Sequence, residues 1–434
     1  MRKFAMLGAK GFYVLLVLLT AEAGIGTSYA AYEPYSSSQA NSDNELHIGV
    51  PQYPRRLNRE LPEVAKEHGV DVGILKLHPS FVTRVEFDDN ITLRKNDKEE
   101  DVIFTQQPGL VGEMKLGNHR IEGGYGMEIL NYVKNEEENA INHLAHGLVE
   151  LNFNDLQFLI EDNFEKSTNR LFSETSARDE LIINSIDVRA LYDRPHWAAE
   201  TGWRHNTIDH QTPEFQPQDY NEDIAAFLAG YKVMPKTLAL VETDFGWVYY
   251  DDNQRNADQQ YWQILTGVRG EPTEKISMTA KVGYQGRRLD DTTFAPSPTD
   301  FHDFVAESDV VFRMTEHDIL RAGYDRTPRI STFASNGWYR QDQISGSYRK
   351  QFAEKWYITP FAAWQINRYP ESATLAGDTH NRSDNFVQTG LTLEYQIQDW
   401  LWARLKYNFR TRNSNFDALD YNNNRVIADV TFNY

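Results

Sequence analysis

A transmembrane antiparallel β-barrel of about 18 strands is the fold this sequence predicts, and three features lead to it. The last ten residues place Val426, Ala428, Val430, Phe432 and Tyr434 on one side of an extended strand, with Arg425, Asp429, Thr431 and Asn433 on the other. The same alternation repeats along the chain from Gly73 onward. Composition agrees, with 13% aromatic residues (23 Tyr, 23 Phe, 9 Trp) in a chain whose mean hydropathy is −0.61. Barrel strands are apolar only at alternate positions and carry aromatic rings at two interfaces, so such a chain is aromatic yet polar on average.

Taken in order, the chain opens with an export signal over residues 1–30. Arg2, Lys3 and Lys10 supply the positive start, Phe12 to Leu19 the apolar stretch, and Ser28-Tyr29-Ala30 a small-x-small cleavage site. The run around Gly11 to Ala23 is the one long apolar stretch, and helical spans need about 20 such residues each, so a multi-helix transporter is excluded. Residues 31–75 are expected to form a periplasmic segment. Ala31 to Asn44 is polar and Ser-rich, and Leu61 to Gly69 has Pro62 near its start and Gly69 at its end, the marks of one short helix. A plug in the lumen is the alternative place for this segment.

The barrel is expected over residues 76–434. Ala239, Val241, Thr243, Phe245, Trp247 and Tyr249 alternate with Glu242 and Asp244; Ile276, Met278, Ala280, Val282 and Tyr284 alternate with Lys275, Ser277, Thr279, Lys281 and Gln285. Leu401, Ala403, Leu405, Tyr407 and Phe409 likewise oppose Arg404, Lys406, Asn408 and Arg410. This is the period of a strand between two different environments. Short turns are read at Gly117-Asn118, Phe153 to Leu156, Asp193 to Pro195, Met234 to Lys236, Glu271 to Thr273, Thr315 to His317, Phe352 to Glu354 and Gln398-Asp399. Longer polar stretches lie between them: Asp89 to Glu100, Asn135 to Asn139, Glu165 to Arg178, Asn206 to Gln218, Asp251 to Gln259, Arg288 to Asp300, Arg326 to Gly337, Tyr369 to Asn381 and Thr411 to Asn422. Short periplasmic turns alternating with long extracellular loops put both ends of the barrel in the periplasm.

The net charge of −19 becomes more negative once the signal is removed, and such a surface is a poor partner for nucleic acid. Expected partners are instead outer-membrane lipid and lipopolysaccharide, whose phosphates divalent cations can bridge to acidic loops, and the barrel-assembly machinery. There are no cysteines, so neither disulfides nor thiol metal sites arise.

No motif carries catalysis or a resident metal. Asp88-Asp89-Asn90 could offer oxygens to calcium but lacks the rest of a calcium loop, and reads as a strand ending in turn formers. The acidic runs Asn135 to Glu138, Asp251-Asp252 and Asp290-Asp291 read as solvated loop charge. Asp209-His210 are adjacent on an extended segment and point to opposite sides, so this pair does not orient itself as an acid–base dyad. His143 and His146 differ in parity, placing one toward lipid and one toward the lumen. The expectation is a protein that is not an enzyme and needs no cofactor.

One stretch goes beyond architecture. Gly73-Ile74-Leu75-Lys76-Leu77-His78-Pro79-Ser80, then Arg84-Val85-Glu86-Phe87-Asp88-Asp89-Asn90-Ile91, and then Thr105-Gln106-Gln107-Pro108-Gly109-Leu110 resemble the opening strands of a β-barrel porin family encoded with exopolysaccharide biosynthesis genes. Phe87 stands where many members have Tyr, and Tyr434 ends the chain where Phe is commoner. The resemblance implies an outer-membrane protein tied to export or surface assembly of an exopolysaccharide, with the polysaccharide and periplasmic export components as partners. A general diffusion porin or uptake channel, and a non-conducting structural barrel, are the rival readings.

Parity also sorts the lumen. In the first half of the barrel Glu86, Glu113, Glu122, Glu128, Glu150, Glu161, Asp187, Glu200, Glu242 and Asp244 are expected inward, against Arg84, Lys115, Arg189, Arg204 and Lys232. In the second half Arg269, Lys275, Lys281, Arg287, Arg313, Arg321, Arg349, Arg404, Lys406 and Arg410 are expected inward, against Glu307, Asp309, Glu394 and Asp429. An acidic wall facing a basic wall would orient dipolar solutes and guide an anionic sugar chain. Phe432 and Tyr434 are read as the terminal signal for assembly.

Overall fold

Alternation of side chains keeps one face of every strand apolar, and pairing each strand to the next satisfies the backbone groups that lipid cannot. A computed structural model describes residues 69–168, 178–291, 300–331, 333 and 336–434. The described residues belong to one compact unit, Tyr35–Tyr434. The export signal, the Ser-rich stretch and the helix expected at residues 61–69 lie outside the described residues, apart from Gly69.

The chain forms β1 (Val70–Val72), β2 (Leu75–Asp88), β3 (Asp101–Leu116), β4 (His119–Tyr132), β5 (Ala140–Phe153), β6 (Leu156–Ser167) and β7 (Leu181–Asp193). It continues through β8 (Trp197–His210), β9 (Tyr220–Met234), β10 (Thr237–Tyr250), β11 (Gln259–Thr273), β12 (Ile276–Leu289) and β13 (Phe301–Arg313). The last strands are β14 (Asp318–Ile330), β15 (Trp338–Ala353), β16 (Trp356–Leu375), β17 (Asp378–Gln398), β18 (Leu401–Ser414) and β19 (Tyr421–Asn433). From β2 to β19 each strand pairs antiparallel with the next, and β19 returns to β2 with Phe432 opposite Phe81 and Asp429 opposite Arg84. The result is a closed barrel of 18 strands; β1 folds back on the start of β2 and makes the sheet 19-stranded in all.

Large apolar side chains at alternate positions cover the outside. Phe81, Val85, Phe104, Phe227, Val241, Ile264, Trp364 and Leu405 stand exposed there, and they meet lipid. Phe227, midway along β9, is the position where a charge costs most. Phe227→Arg is expected to destabilise the barrel by about 2–4 kcal/mol, read as a lower urea midpoint in lipid vesicles.

Val70–Val72, within the segment expected up to residue 75, pair with the start of β2. Two expectations need correction. The stretch Tyr369 to Asn381, expected as a loop, is mostly ladder: Ser372 to Leu375 pair with Asp378 to Asn381 around Ala376-Gly377. Both turn residues have positive φ, 54° and 95°, as a two-residue hairpin turn requires. Polar residues fooled the reading because a hairpin standing above the membrane needs no apolar face. For the same reason β8 runs on to His210 and β14 to Ile330, into stretches expected as loop.

The closing strand is anchored at its aromatic end. The Tyr434 backbone N–H donates to the Pro79 carbonyl at 3.0 Å, and the Phe432 ring lies 5.5 Å from Trp400 and 6.3 Å from Tyr434. Deleting Tyr434 removes a link between the last strand and the first. The expected result is a lower yield of folded, heat-modifiable barrel; an unchanged yield counts against an assembly role for the terminal residue.

Candidate functional site

The lumen face mixes charges with carboxamides, and apolar and aromatic clusters join them toward the long loops. Asn142, Asn163, Asn206, Gln285, Gln341, Gln365, Asn367 and Gln388 are buried carboxamides there, while buried Glu86, Glu128, Glu165 and Glu222 lie toward the long-loop ends of β2, β4, β6 and β9. Leu181, Ile183, Ile208, Tyr220, Val248 and Tyr250 pack as one cluster with Tyr261 and with Ile330 of β14. A second group sets the Arg382 guanidinium over the rings of Phe333 (4.3 Å) and Tyr369 (4.8 Å) while it pairs with Asp384. Both clusters are packed by their own side chains.

Most lumen acids take hydrogen bonds or ion pairs from near neighbours in their own wall. Glu113 has His78 at 3.8 Å and Lys115 at 3.4 Å. Glu122 pairs with His146 at 2.9 Å, and Arg120 reaches Glu150 at 3.2 Å. Glu128 accepts from Gln107 and Asn142, both at 2.7 Å. Glu161 accepts from Asn163 at 2.6 Å, and Arg189 is 3.7 Å away. Where the walls meet, Lys281 bridges Glu242 (2.9 Å) and Glu307 (2.6 Å), Gln263 donates to Asp244 (2.5 Å), and Arg269 reaches Glu200 (3.2 Å). Where the partner is a lysine or arginine, such local pairing weakens a field directed across the lumen.

The second wall differs. Arg321, Arg349, Arg404 and Lys406 line a cavity of about 50 Å³ with Ile319, Ser347, Thr359, Thr392 and Glu394. β14 to β18 bring them together: Arg321 lies opposite Ser347, Thr359 opposite Thr392, and Thr392 opposite Lys406. Glu394 pairs with Arg349 at 3.2 Å; behind the cavity Asp429 takes Arg404 at 2.7 Å and Lys406 at 3.9 Å. Asp309 of β13 also acts on Arg321, so four cations face three carboxylates, with the Ser and Thr hydroxyls beside them. Arg313 and Arg410 are not part of this cluster. Arg313 donates to Ser277 at 2.9 Å, and the Arg410 guanidinium lies 5.7 Å from the Tyr421 ring.

The histidines fall as parity implies. His146 faces Glu122 in the lumen, and His143 meets the Tyr125 hydroxyl at 2.7 Å on the outer face. His210 turns from Asp209 to Asp219, whose carboxylate lies 2.8 Å from Nδ1, and burial holds the Asp219 carboxyl above its ordinary range. Asp88-Asp89-Asn90 does more than end a strand. Asp88 accepts from Asn90 N–H (2.8 Å) and Asn423 Nδ2 (2.5 Å); Asp89 accepts from the backbone and side chain of Asn424, both at 2.7 Å. Asn90 Nδ2 donates to the carbonyls of Arg94 and Asn422, each at 2.8 Å. The turn thus fastens the first loop to the last strand across the closing seam.

A family model described as Putative beta-barrel porin 2 matches residues 197–434, more than half of the chain. The chain belongs to this family. It is an outer-membrane β-barrel porin, and the match covers β8 to β19, including the whole basic cluster. No curated protein sequence matches the porin. Among solved structures it is similar to the outer membrane protein OpdK from Pseudomonas aeruginosa (10% identity, TM-score 0.47, 82% of this chain and 99% of that chain). The same protein solved with vanillate gives the same values. OccAB4 of Acinetobacter baumannii is similar at 10% identity and TM-score 0.45 over 83% of this chain and 99% of that one.

Reasoning from sequence missed Thr359 and Thr392 in the cavity wall, and missed the role of Asn422-Asn423-Asn424. Threonine on an inward position looks like any polar strand residue. The Asn run had a signal, since it begins the last strand, which must meet the first.

Proposed function

We propose that this porin is a diffusion channel selective for small anionic solutes, with the cluster of Arg321, Arg349, Arg404 and Lys406 as its selecting station. The observation that carries this reading is the cavity they line, where cations outnumber carboxylates and hydroxyls stand within reach of a carboxylate or phosphate. Guanidinium groups in a confined, partly dry space attract anions more strongly than the same charges on an open surface. The porin in liposomes is expected to admit small dicarboxylates faster than diamines of equal size. Arg321→Gln with Arg349→Gln should remove that preference, while Arg404, Lys406 and their partner Asp429 stay in place. Equal rates for the two solute classes in the unaltered porin would overturn the proposal.

A second reading is passage of an exopolysaccharide. It rests on the resemblance of residues 73–110 and on the buried lumen carboxamides, among which the Gln341 and Gln365 side-chain oxygens have no hydrogen-bond partner. Carboxamides both donate to and accept from sugar hydroxyls without adding charge. Polymer transit would require the packed clusters toward the long loops to open. Loss of polymer secretion in a deletion strain, restored by the porin but not by a variant with bulky aromatics at Gln341 and Gln365, supports this reading.

A further inference from the structure

We propose, resting on the channel reading above, that the selecting station prefers those small anions that also carry an ammonium group, acidic amino acids above all. Asp309 of β13 supplies the seat for the ammonium. It is buried on the lumen face, and among the described residues it forms no hydrogen bond or ion pair; Arg321 and Glu307 are the charges that act on it. A carboxylate held away from water without a donor is costly, so such a group points to a ligand that completes it.

The register builds a niche beside this carboxylate. Thr279 lies directly opposite on β12, and its buried hydroxyl likewise lacks a hydrogen-bond partner. On the other side Asp309 faces Gly323 of β14, which has no side chain to fill the space. Gly323 in turn faces Ser345 of β15, whose Oγ stands 3.0 Å from where a Cβ on Gly323 would be. A carboxylate and two hydroxyls thus border one gap. An ammonium has three N–H donors and no acceptor, which matches them.

Neighbouring acids deepen the negative potential there. Glu307, two residues along β13, shares Lys281 with Glu242 of β10. Asp244, also on β10, has its Oδ1 buried without a hydrogen-bond partner, and Arg269 of β11 is taken by Glu200 at 3.2 Å. The anion side begins one step away. Arg321 lies opposite Val311, two residues along β14 from Gly323, and lines the basic cavity with Arg349. In an α-amino acid the ammonium and a carboxylate sit on one carbon, so a single head group can meet Asp309 and Arg321 together. An acidic side chain then carries its second carboxylate toward Arg349. A dicarboxylate without the amine leaves Asp309 unmatched, and a diamine meets the cations of the cavity. A divalent cation is the other occupant such oxygens suit, but among the described residues no group of three or more His, Cys, Asp or Glu is placed to hold one.

Uptake into liposomes at solute concentrations below saturation tests this, with glutamate set against glutarate, its counterpart without the amine. The unaltered porin is expected to admit glutamate about threefold faster, the worth of one modest hydrogen bond. Asp309→Asn should bring that ratio to about one while glutarate still enters faster than cadaverine. Glu128→Gln, which removes a lumen charge elsewhere, should keep the ratio. Should Asp309→Asn fail to show heat-modifiable folding, Gly323→Ala is read; its methyl fills the niche, and the same loss is expected. A ratio near one in the unaltered porin, a ratio unchanged by Asp309→Asn, a ratio lost equally in Glu128→Gln, or a ratio abolished by EDTA overturns the proposal. Failure of the channel reading is separate, since it shows in the glutarate and cadaverine rates of the unaltered porin.

Discussion

Arg404→Gln is expected to lower the stability of the barrel by about 3–5 kcal/mol, and adding Asp429→Asn is expected to restore most of that loss. The reason lies in one carboxylate. The Asp429 side chain is fully buried, and Arg404 donates to it at 2.7 Å while also donating to Thr431 at 2.9 Å. Lys406 is more distant at 3.9 Å, so it replaces only part of what Arg404 supplies. A buried charge that loses its main partner keeps the full cost of leaving water. Neutralising that charge with Asn removes the cost and keeps a hydrogen-bonding group of similar shape. Urea unfolding in lipid vesicles, followed by tryptophan fluorescence, measures both variants. If Arg404→Gln alone leaves the midpoint unchanged, Asp429 does not depend on this pair.

Asp88→Ala combined with Asp89→Ala is expected to produce the other large effect, a loss of about 2–5 kcal/mol together with a low yield of closed barrel. The two carboxylates accept from Asn90, Asn423 and Asn424; when the acids go, Asn423 Nδ2 keeps only the Asn90 carbonyl at 3.5 Å and the Asn90 and Asn424 donors lose these acceptors. Each buried donor so abandoned costs about 1–3 kcal/mol. Their position matters as much as their number, since the contacts cross the β19–β2 seam, which joins residues more than 300 apart in sequence. Closing the chain over that distance is the least locally driven pairing in the barrel and carries its largest loop-closure cost. Semi-native gel mobility after refolding should show the heat-modifiable form depleted in the double variant. The same variant refolding to normal yield would show that backbone pairing alone closes the barrel.

The strand count was legible because two independent signals agree: apolar alternation, and turns that alternate between short and long. Both are dictated by lipid outside and water at the ends. Once the chain rises above the membrane that constraint lapses, which is why Tyr369 to Asn381 read as loop although they continue β16 and β17 as a hairpin. Parity identified which side chains enter the lumen, but parity has no depth. Whether Glu122 meets His146 or a cation on the far wall depends on register, and register comes from pairing partners far apart in sequence. Many charges of the walls expected to oppose one another are therefore paired within their own wall, and the cations that line the cavity are those of β14 to β18. The turn at Asp88 to Asn90 was read as local chemistry because its partners, Asn422 to Asn424, lie at the other end of the chain.

The direct measurement of channel function is the reversal potential of the unaltered porin in a planar bilayer under a potassium chloride gradient. The account predicts an open conductance with chloride more permeant than potassium, and a shift toward potassium in Arg321→Gln with Arg349→Gln. A barrel that inserts and folds but conducts nothing, or one that prefers potassium before any substitution, would contradict it.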